Sequence, residues 1–279
     1  MATKDQRRRQ LAREKYERQQ QRRAQQRSRT RRRNAVLAVG LAVVLAAGAA
    51  AYATAGLGQG DKDSGDSAAA PSPSPTSKAP DPCGKPAKGS PGTRQWKKEP
   101  ALSIDTSATY SMKLQTTCGD IDIAMDAAKA PHTVNSFNFL AGKGFFDHTK
   151  CHRLTTGGIF VLQCGDPKGT GQGGPGYTIP DENLKDTGLK GNVYPAGTVA
   201  MANQYSAQTG KGRDSGGSQF FLVYKDSQLP PDYTPFGTIA GGKDVLKKIA
   251  DAGAAPPDAT QNTAPNATVV IDKAVVRKS

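Results

Sequence analysis

Hydrophobic and polar residues alternate along much of the chain beyond residue 106, which is typical of short strands with one buried face. The stretch "TYSMKLQTTCGDIDIAMD" alternates on both sides of the turn "TCGD" and predicts a β-hairpin. Further runs between turn residues predict strands at 152–155, 159–163, 197–202 and 219–224 and in the terminal "ATVVIDKAVV". The second half of the chain is therefore predicted to consist mostly of strands.

Two stretches follow a helical period instead. In "APHTVNSFNFLAGKGFF" the residues Val134, Phe137 and Leu140 recur at helical spacing, and Gly142 supplies the stop. The stretch "KDVLKKIADA" places Val245 and Ile249 on one face of a second, shorter helix. Many strands, two helices and no strand–helix–strand alternation predict a mainly β domain, either a closed antiparallel barrel or a sandwich with helical plugs.

The first 33 residues follow neither pattern and are strongly basic. They hold 14 Lys and Arg against 3 acidic residues, a net charge of +11 out of +14 for the whole chain, so the other 246 residues carry only +3. A charge confined to a tail does not indicate a nucleic-acid-binding domain, because membrane topology and anionic lipid already account for it. We expect a basic cytoplasmic tail at 1–33 and no nucleic-acid partner.

An apolar stretch, "VLAVGLAVVLAAGAAAYATA", follows the tail and has the roughly 20 residues needed to cross a bilayer. Arginines at one end only place the N-terminus in the cytoplasm. We therefore expect a transmembrane helix at 34–58, a signal-anchor that leaves the body of the chain outside the cytoplasm. A cleaved signal peptide and a buried soluble helix remain alternatives.

The segment from 59 to 105 is rich in Pro, Ser, Gly and Lys and offers almost nothing to bury. Such a composition predicts a disordered or partly polyproline linker. The predicted order is thus tail, membrane helix, linker and one extracytoplasmic domain at 106–279.

All four cysteines lie beyond the predicted membrane helix, where an even number favours disulfides with three possible connectivities. Cys151 and Cys164 flank a predicted hairpin and are the preferred pair, and Cys83 with Cys118 would then tie the end of the linker to the domain. Zinc bound by Cys151, His152 and Cys164 is the alternative. It lacks any recognised ligand spacing, so we expect no metal.

One charged residue stands out in "CHRLTTGGIFVLQCGDP", which otherwise reads as two apolar strands joined by a glycine turn. Arg153 must there be paired, extended to water, or kept for a ligand. Other motifs fail on context: "GTGQGG" at 169–174 is followed by Pro175 and not by a helix, and "GGSQF" lacks the second glycine of a nucleophile elbow around Ser218. The sequence therefore predicts neither a dinucleotide site nor a serine nucleophile.

The blocks "HRL", "FVLQCGDP", "TVAMAN", "GGSQFFLVY" and "PFGTI" occur in the order and approximate spacing found in cyclophilins, the cyclosporin-binding class of peptidyl-prolyl isomerases. The resemblance covers roughly residues 106 to 279. It implies an eight-stranded antiparallel closed barrel capped by two helices, with a substrate groove on its outer surface. It also implies a proline-containing polypeptide substrate, no cofactor and a monomeric domain.

The resemblance assigns roles residue by residue. Arg153 matches the catalytic arginine, whose guanidinium would stabilise the twisted imide, and Gln163 would orient it. The remaining matches are the substrate-binding residues Phe160, Val161, Ala202, Asn203, Gln219, Phe221, Leu229 and Tyr233. A donor that acts only on the twisted bond lowers the barrier by differential binding and needs no covalent intermediate.

The sequence departs from the family pattern in three places. Arg153 and Phe160 are seven residues apart where the family usually has five, so the hairpin must bulge or lengthen. The loop at 204–218 is longer than in compact members, and its Lys211, Arg213 and Asp214 are expected to bias substrate choice. Gln228 stands where many members have the tryptophan that binds cyclosporin, which predicts weak cyclosporin binding.

Two functions fit this pattern. The first is an isomerase that assists the folding of secreted or wall-associated proteins. The second is a binding module that holds proline-containing peptides, as a holdase or scaffold, with little turnover. The retained Arg153 favours the enzyme, since binding alone would not need the arginine.

Overall fold

The computed structural model describes residues 80–258 and 262–278. The predicted tail, the predicted membrane helix and the predicted linker as far as residue 79 lie outside these residues. Among the helices of the described residues, none has the length and apolar character that crossing a membrane requires.

Strands dominate the described residues, as the alternation predicts. The two helices are α1 (Pro131–Gly142) and α2 (Lys243–Asp251). The strands are β1 (Tyr110–Thr116), β2 (Gly119–Met125), β3 (Thr149–Lys150), β4 (Arg153–Leu154), β5 (Val161–Cys164), β6 (Val193–Tyr194), β7 (Thr198–Met201), β8 (Phe220–Val223), β9 (Ser227–Gln228), β10 (Pro235–Gly241) and β11 (Val270–Lys278). The predicted hairpin is formed by β1 and β2, and both helices lie where the helical period places them.

The main sheet is antiparallel, with the strand order β3-β11-β1-β2-β10-β7-β8-β5-β4. The predicted closed eight-stranded barrel is wrong, because β3 and β4 end this curled, nine-stranded half-barrel sheet without sharing a ladder. Strand β4 has only two residues, and the chain facing it runs outside any strand. Strand β4 is instead bonded to the segment before β11, where the Leu154 amide donates to the Thr263 carbonyl at 2.7 Å and the Thr263 hydroxyl donates to the Leu154 carbonyl at 2.6 Å.

The core lies between the sheet and α1. Phe137 on α1 is fully buried, and its ring centroid lies 4.7 Å from that of Phe236 and 5.4 Å from that of Phe220. On the outer face of the sheet, Lys113 of β1 forms ion pairs with Asp120 and Asp122 of β2. Alternation along the strands thus separates an aromatic core from a charged surface.

The first backbone amides of α1 donate hydrogen bonds to Glu182, a residue distant in sequence. Pro131 begins the helix, and Ala130 before it offers no capping side chain. The Glu182 carboxylate accepts hydrogen bonds from the His132 and Thr133 amides, each at 2.9 Å. Its negative charge also interacts favourably with the positive end of the helix dipole. This contact fixes the loop that contains Glu182 against the helix.

Residues 80–105, which we call the N-terminal strap, lie against the domain. The predicted disulfide between Cys83 and Cys118 is confirmed and joins the strap to the β1–β2 turn. The Trp96 ring packs on Phe139 at 5.2 Å and on Phe145 at 6.0 Å between centroids. The sequence predicted almost nothing to bury in this segment, yet Trp96 and Ile104, with the predicted attachment at Cys83, pack on the hydrophobic core.

Candidate active site

Arg153 on β4 lies opposite Gln163 on β5, because these two strands pair antiparallel. Arg153 Nη1 donates to Gln163 Oε1 at 3.3 Å. Gln163 Nε2 donates to Gln219 Oε1 at 2.9 Å, and Gln219 Nε2 donates to the Gly173 carbonyl at 2.8 Å. This chain of amides fixes the direction of the Gln163 carbonyl, and the carbonyl in turn orients the guanidinium. None of the ion pairs in the described part of the chain involves Arg153.

A disulfide closes the hairpin that carries this pair. Cys151 is bonded to Cys164, as predicted, so the bridge lies two residues before Arg153 and one residue after Gln163. The zinc alternative with His152 loses both of its thiolates, because the two sulfurs are bonded to each other.

An apolar hollow of about 120 Å³ lies beside the guanidinium. Phe221, which is 5% exposed, and Val161 belong to a small hydrophobic cluster separate from the main core. The hollow is lined by Arg153, Ile159, Val161, Gln163, Ala202, Asn203, Phe221, Leu229 and Tyr233. The structure thus brings together eight of the ten predicted site residues.

Phe160 is not among the lining residues, and the prediction that it holds the substrate ring is wrong in placement. Side chains alternate along a strand, so Ile159 joins Val161 and Gln163 on the face of the hollow while Phe160 points away. The Phe160 ring packs against Tyr224, with centroids 5.8 Å apart. The signal for this shift is present in the sequence as the two extra residues between Arg153 and Phe160.

Gln219, the other predicted residue outside the hollow, lines an adjoining polar cleft of about 570 Å³. The cleft and the apolar hollow share Gln163, Ala202 and Asn203. The rest of the cleft is formed by Gln95, residues 171–178, Gln204, Ser215 and residues 217–219. The two cavities therefore form one continuous groove, apolar at one end and polar at the other.

The family model described as "Cyclophilin type peptidyl-prolyl cis-trans isomerase/CLD" matches residues 111–276, which include every residue that lines the hollow and all of those that line the cleft except Gln95. The chain belongs to this family. The match covers more than half of the chain and contains all of the predicted site residues.

Curated relatives agree with this assignment. The probable peptidyl-prolyl cis-trans isomerase B of Mycobacterium leprae is 48% identical over 183 residues, which are 62% of this chain and 60% of the relative. The probable isomerase B of Mycobacterium tuberculosis is 45% identical over 186 residues, 63% of this chain and 56% of the relative. Peptidyl-prolyl cis-trans isomerase B of Bacillus subtilis is 38% identical over 134 residues, 47% of this chain and 83% of the relative. The chain spans less than two thirds of the length of the two mycobacterial relatives.

Tyr194, a residue that the sequence did not single out, supports one wall of the hollow in this cyclophilin domain. Its hydroxyl donates to the Tyr233 carbonyl at 2.7 Å and accepts from the Tyr233 amide at 3.2 Å. Burial raises the pKa of Tyr194 well above its usual value, so the hydroxyl keeps the proton that it donates. No motif marks Tyr194, because its role depends on a contact 39 residues away.

The long loop at 204–218 is attached to the cyclophilin domain by Arg213. The guanidinium pairs with Asp232 and with Asp181, and its central carbon lies 3.4 Å from the centroid of the Tyr205 ring. The charge of Arg213 is thus paired within the domain, and an influence of this loop on substrate choice stays a prediction. Its ion pair with Asp232 connects the loop to the residue next to Tyr233, which lines the hollow; we call this connection the loop brace.

His152, next to Arg153, is buried with both ring nitrogens unbonded in the described structure. Burial lowers the pKa of His152; the Asp166 carboxylate opposes this effect in part, and the charge of Arg153 adds to it. Asp166 behaves differently: burial opposes its ionisation, but backbone N–H groups, including that of Gly173, outweigh burial and lower its pKa. The carboxylate therefore organises the start of the 171–178 wall, and His152 lies beneath that wall as a neutral ring.

Proposed function

We propose that this chain is a peptidyl-prolyl cis-trans isomerase that accelerates rotation about X-Pro bonds in extracytoplasmic proteins. The observation that supports it is the Arg153 guanidinium, which is held by Gln163 at the rim of an apolar hollow and has no acidic partner among the described residues. A cation held this way is available to a bound peptide.

The reaction requires only a change of shape. Amide resonance sets a barrier of about 18–20 kcal/mol, and uncatalysed exchange at X-Pro takes on the order of tens to hundreds of seconds. In the twisted state the prolyl nitrogen loses conjugation and gains a lone pair. A donor directed at that nitrogen is stronger in the twisted state than in the planar one, and so lowers the barrier.

Each part of the groove has a role in this scheme. The hollow around Val161, Phe221 and Leu229 holds the proline ring while the preceding residue rotates. Arg153 holds the proline carbonyl and donates toward the nitrogen, and a partly desolvated groove strengthens that interaction. No covalent intermediate is formed.

The membrane anchor, the cytoplasmic N-terminus and the extracytoplasmic domain remain part of the proposal. Two disulfides among the described residues support an oxidising compartment. We also propose weak cyclosporin binding, because the exposed residue Gln228 on β9 offers no aromatic ring where many family members have a tryptophan. We also propose that the domain is monomeric and takes part in the folding of secreted clients.

The test is a protease-coupled proline-peptide assay on the purified full-length chain in detergent, with peptide affinity measured in parallel. The proposal expects the cis-to-trans rate to rise in proportion to enzyme concentration above the spontaneous rate. Peptide binding without any acceleration of the cis-to-trans rate would contradict the isomerase and favour a module that only binds proline-containing peptides. Protease accessibility of intact cells tests the topology, because the domain is cut from outside only if it is extracytoplasmic.

A further inference from the structure

The N-terminal strap reaches the polar cleft at Gln95 and Trp96. Gln95 lines the cleft, and its Nε2 lies 3.5 Å from the Gly174 carbonyl oxygen. The Trp96 amide donates to the Pro175 carbonyl at 2.8 Å. The strap is therefore in direct contact with the 171–178 segment that walls the cleft.

The contact between strap and wall is tight. Gly176 has a φ of 91°, and a Cβ at this position would lie 2.7 Å from the Trp96 carbonyl oxygen and 3.0 Å from the Gln95 Cβ. Only glycine allows the wall to approach the strap this closely. The shape of the cleft on this side therefore depends on where the strap lies.

The strap is also held on both sides of Gln95. Upstream, Cys83 is bonded to Cys118. Downstream, the buried Asn135 of α1 donates to the Pro100 and Ala101 carbonyls at 3.2 and 3.1 Å. The backbone that carries Gln95 is thus ordered before any ligand arrives, which reduces the entropy cost of using it for binding.

The chemistry of the cleft is polar and uncharged. Its described lining consists of amide and hydroxyl side chains, glycines, one proline and one alanine, and none of these residues is Asp, Glu, Lys, Arg or His. The residues that line the cleft offer a charged substrate side chain no counter-charge of their own. An amide or hydroxyl side chain would find both donors and acceptors, because each glutamine or asparagine offers both.

We propose that the strap completes the groove and that Gln95 is a specificity-determining residue, which selects proline-containing peptides with a polar, uncharged side chain close to the proline. This inference rests on the proposed function, because the hollow must hold the proline for the cleft to read its neighbours. The cleft and the hollow share three residues, and an extended chain advances about 3.3–3.6 Å per residue. We therefore place the selected residue in the part of the peptide next to the proline.

The test compares kcat/KM of the full-length chain on peptides that carry Gln, Ala, Glu or Lys at each of the three positions on either side of the proline. At one position we expect Gln to exceed Glu and Lys by about five-fold or more, as one hydrogen bond and an unpaired charge imply. Gln95→Ala should reduce that preference several-fold, and Gln95→Glu should shift it toward Lys. Arg94→Ala is the matched control on the strap and should leave the preference unchanged.

A wild-type preference that is the same in Gln95→Ala and Gln95→Glu overturns the inference. So does a wild-type profile that is flat at all six positions. If the wild type accelerates no peptide, the proposed function fails, and the same comparison is then made with peptide affinity in place of kcat/KM. In that case a preference for Gln that depends on Gln95 supports the inference, and a flat affinity profile overturns it.

Discussion

Arg153 and Gln163 face each other across β4 and β5, with Nη1 of the arginine 3.3 Å from Oε1 of the glutamine. The same glutamine bonds Gln219, which in turn bonds the Gly173 carbonyl. The direction of the guanidinium is thus set by a relay of neutral amides. An amide orients the guanidinium and leaves its charge in place, whereas a carboxylate would neutralise that charge.

Removing the first amide of this relay should reduce turnover more than binding. In Gln163→Ala, Arg153 loses its acceptor and Gln219 loses its donor, so the guanidinium samples other directions. We expect kcat to fall about ten-fold while peptide affinity changes less than two-fold, in line with the loss of one positioning hydrogen bond. Gln228→Ala, an exposed glutamine on β9, is the control. An equal loss of affinity and turnover would show that Gln163 acts mainly as a binding residue.

Ile159 and Phe160 offer a test of which side chain forms the hollow. Ile159→Ala should lower kcat/KM several-fold, because it removes apolar surface from the ring site. Phe160→Ala should retain activity within about two-fold, since its ring packs on Tyr224 outside the hollow. A larger loss of activity in Phe160→Ala than in Ile159→Ala would show that Phe160 lines the hollow, as the sequence motif predicted.

Arg213 links the long loop to the wall of the hollow. Arg213→Ala leaves Asp232 and Asp181 without their cation, and the Asp181 side chain is only 8% exposed. We expect KM to rise several-fold and the free energy of unfolding to fall, with the fall limited because the guanidinium is solvated. Lys211→Ala in the same loop should leave the free energy of unfolding unchanged. Kinetics and chemical denaturation of the two variants check this, and unchanged kinetics in Arg213→Ala would remove the brace.

The buried His152 predicts loss of stability in mild acid. Its pKa is lowered from 6.5 in the folded state, so the unfolded chain binds more protons once the pH falls below about 6.5. The free energy of unfolding should therefore decrease as pH falls from about 6.5 toward the lowered folded pKa. Asp166 and Asp186, whose pKa values are lowered, change the free energy of unfolding only at lower pH, so the change just below pH 6.5 is assigned to His152. Denaturant titrations at pH 5 and 7 should give a smaller difference for His152→Gln than for the wild type, and equal differences would contradict the assignment.

Local sequence patterns predicted those parts of the fold that depend on local forces. Alternation located the β1–β2 hairpin, the helical period located α1 and α2, and the cysteine positions suggested both disulfides. The motif spacing also identified most of the groove, because Arg153, Gln163 and Phe221 lie on paired strands whose register is fixed by the buried faces.

The features that the sequence did not reveal depend on contacts between distant loops. Glu182 caps α1 from 49 residues away, and Tyr194 holds the Tyr233 backbone from 39 residues away. Neither contact leaves a periodic signal. The packing of the strap was missed for a related reason. Its cysteine was predicted to be bridged, but the contacts of Trp96 and the hydrogen bonds from Asn135 to the strap backbone leave no signal in the average composition of the segment.

The most direct test of the account compares kcat/KM of the full-length wild type with that of Arg153→Ala and Arg153→Lys, with Arg277→Ala as an exposed control. We predict a loss of about 100-fold or more in Arg153→Ala, as for removal of a donor that acts in the transition state, with peptide affinity largely retained. Arg153→Lys should recover only part of this loss, because a point charge cannot hold the carbonyl and reach the nitrogen together. Wild-type rates in Arg153→Ala would contradict the claim that this guanidinium stabilises the twisted bond.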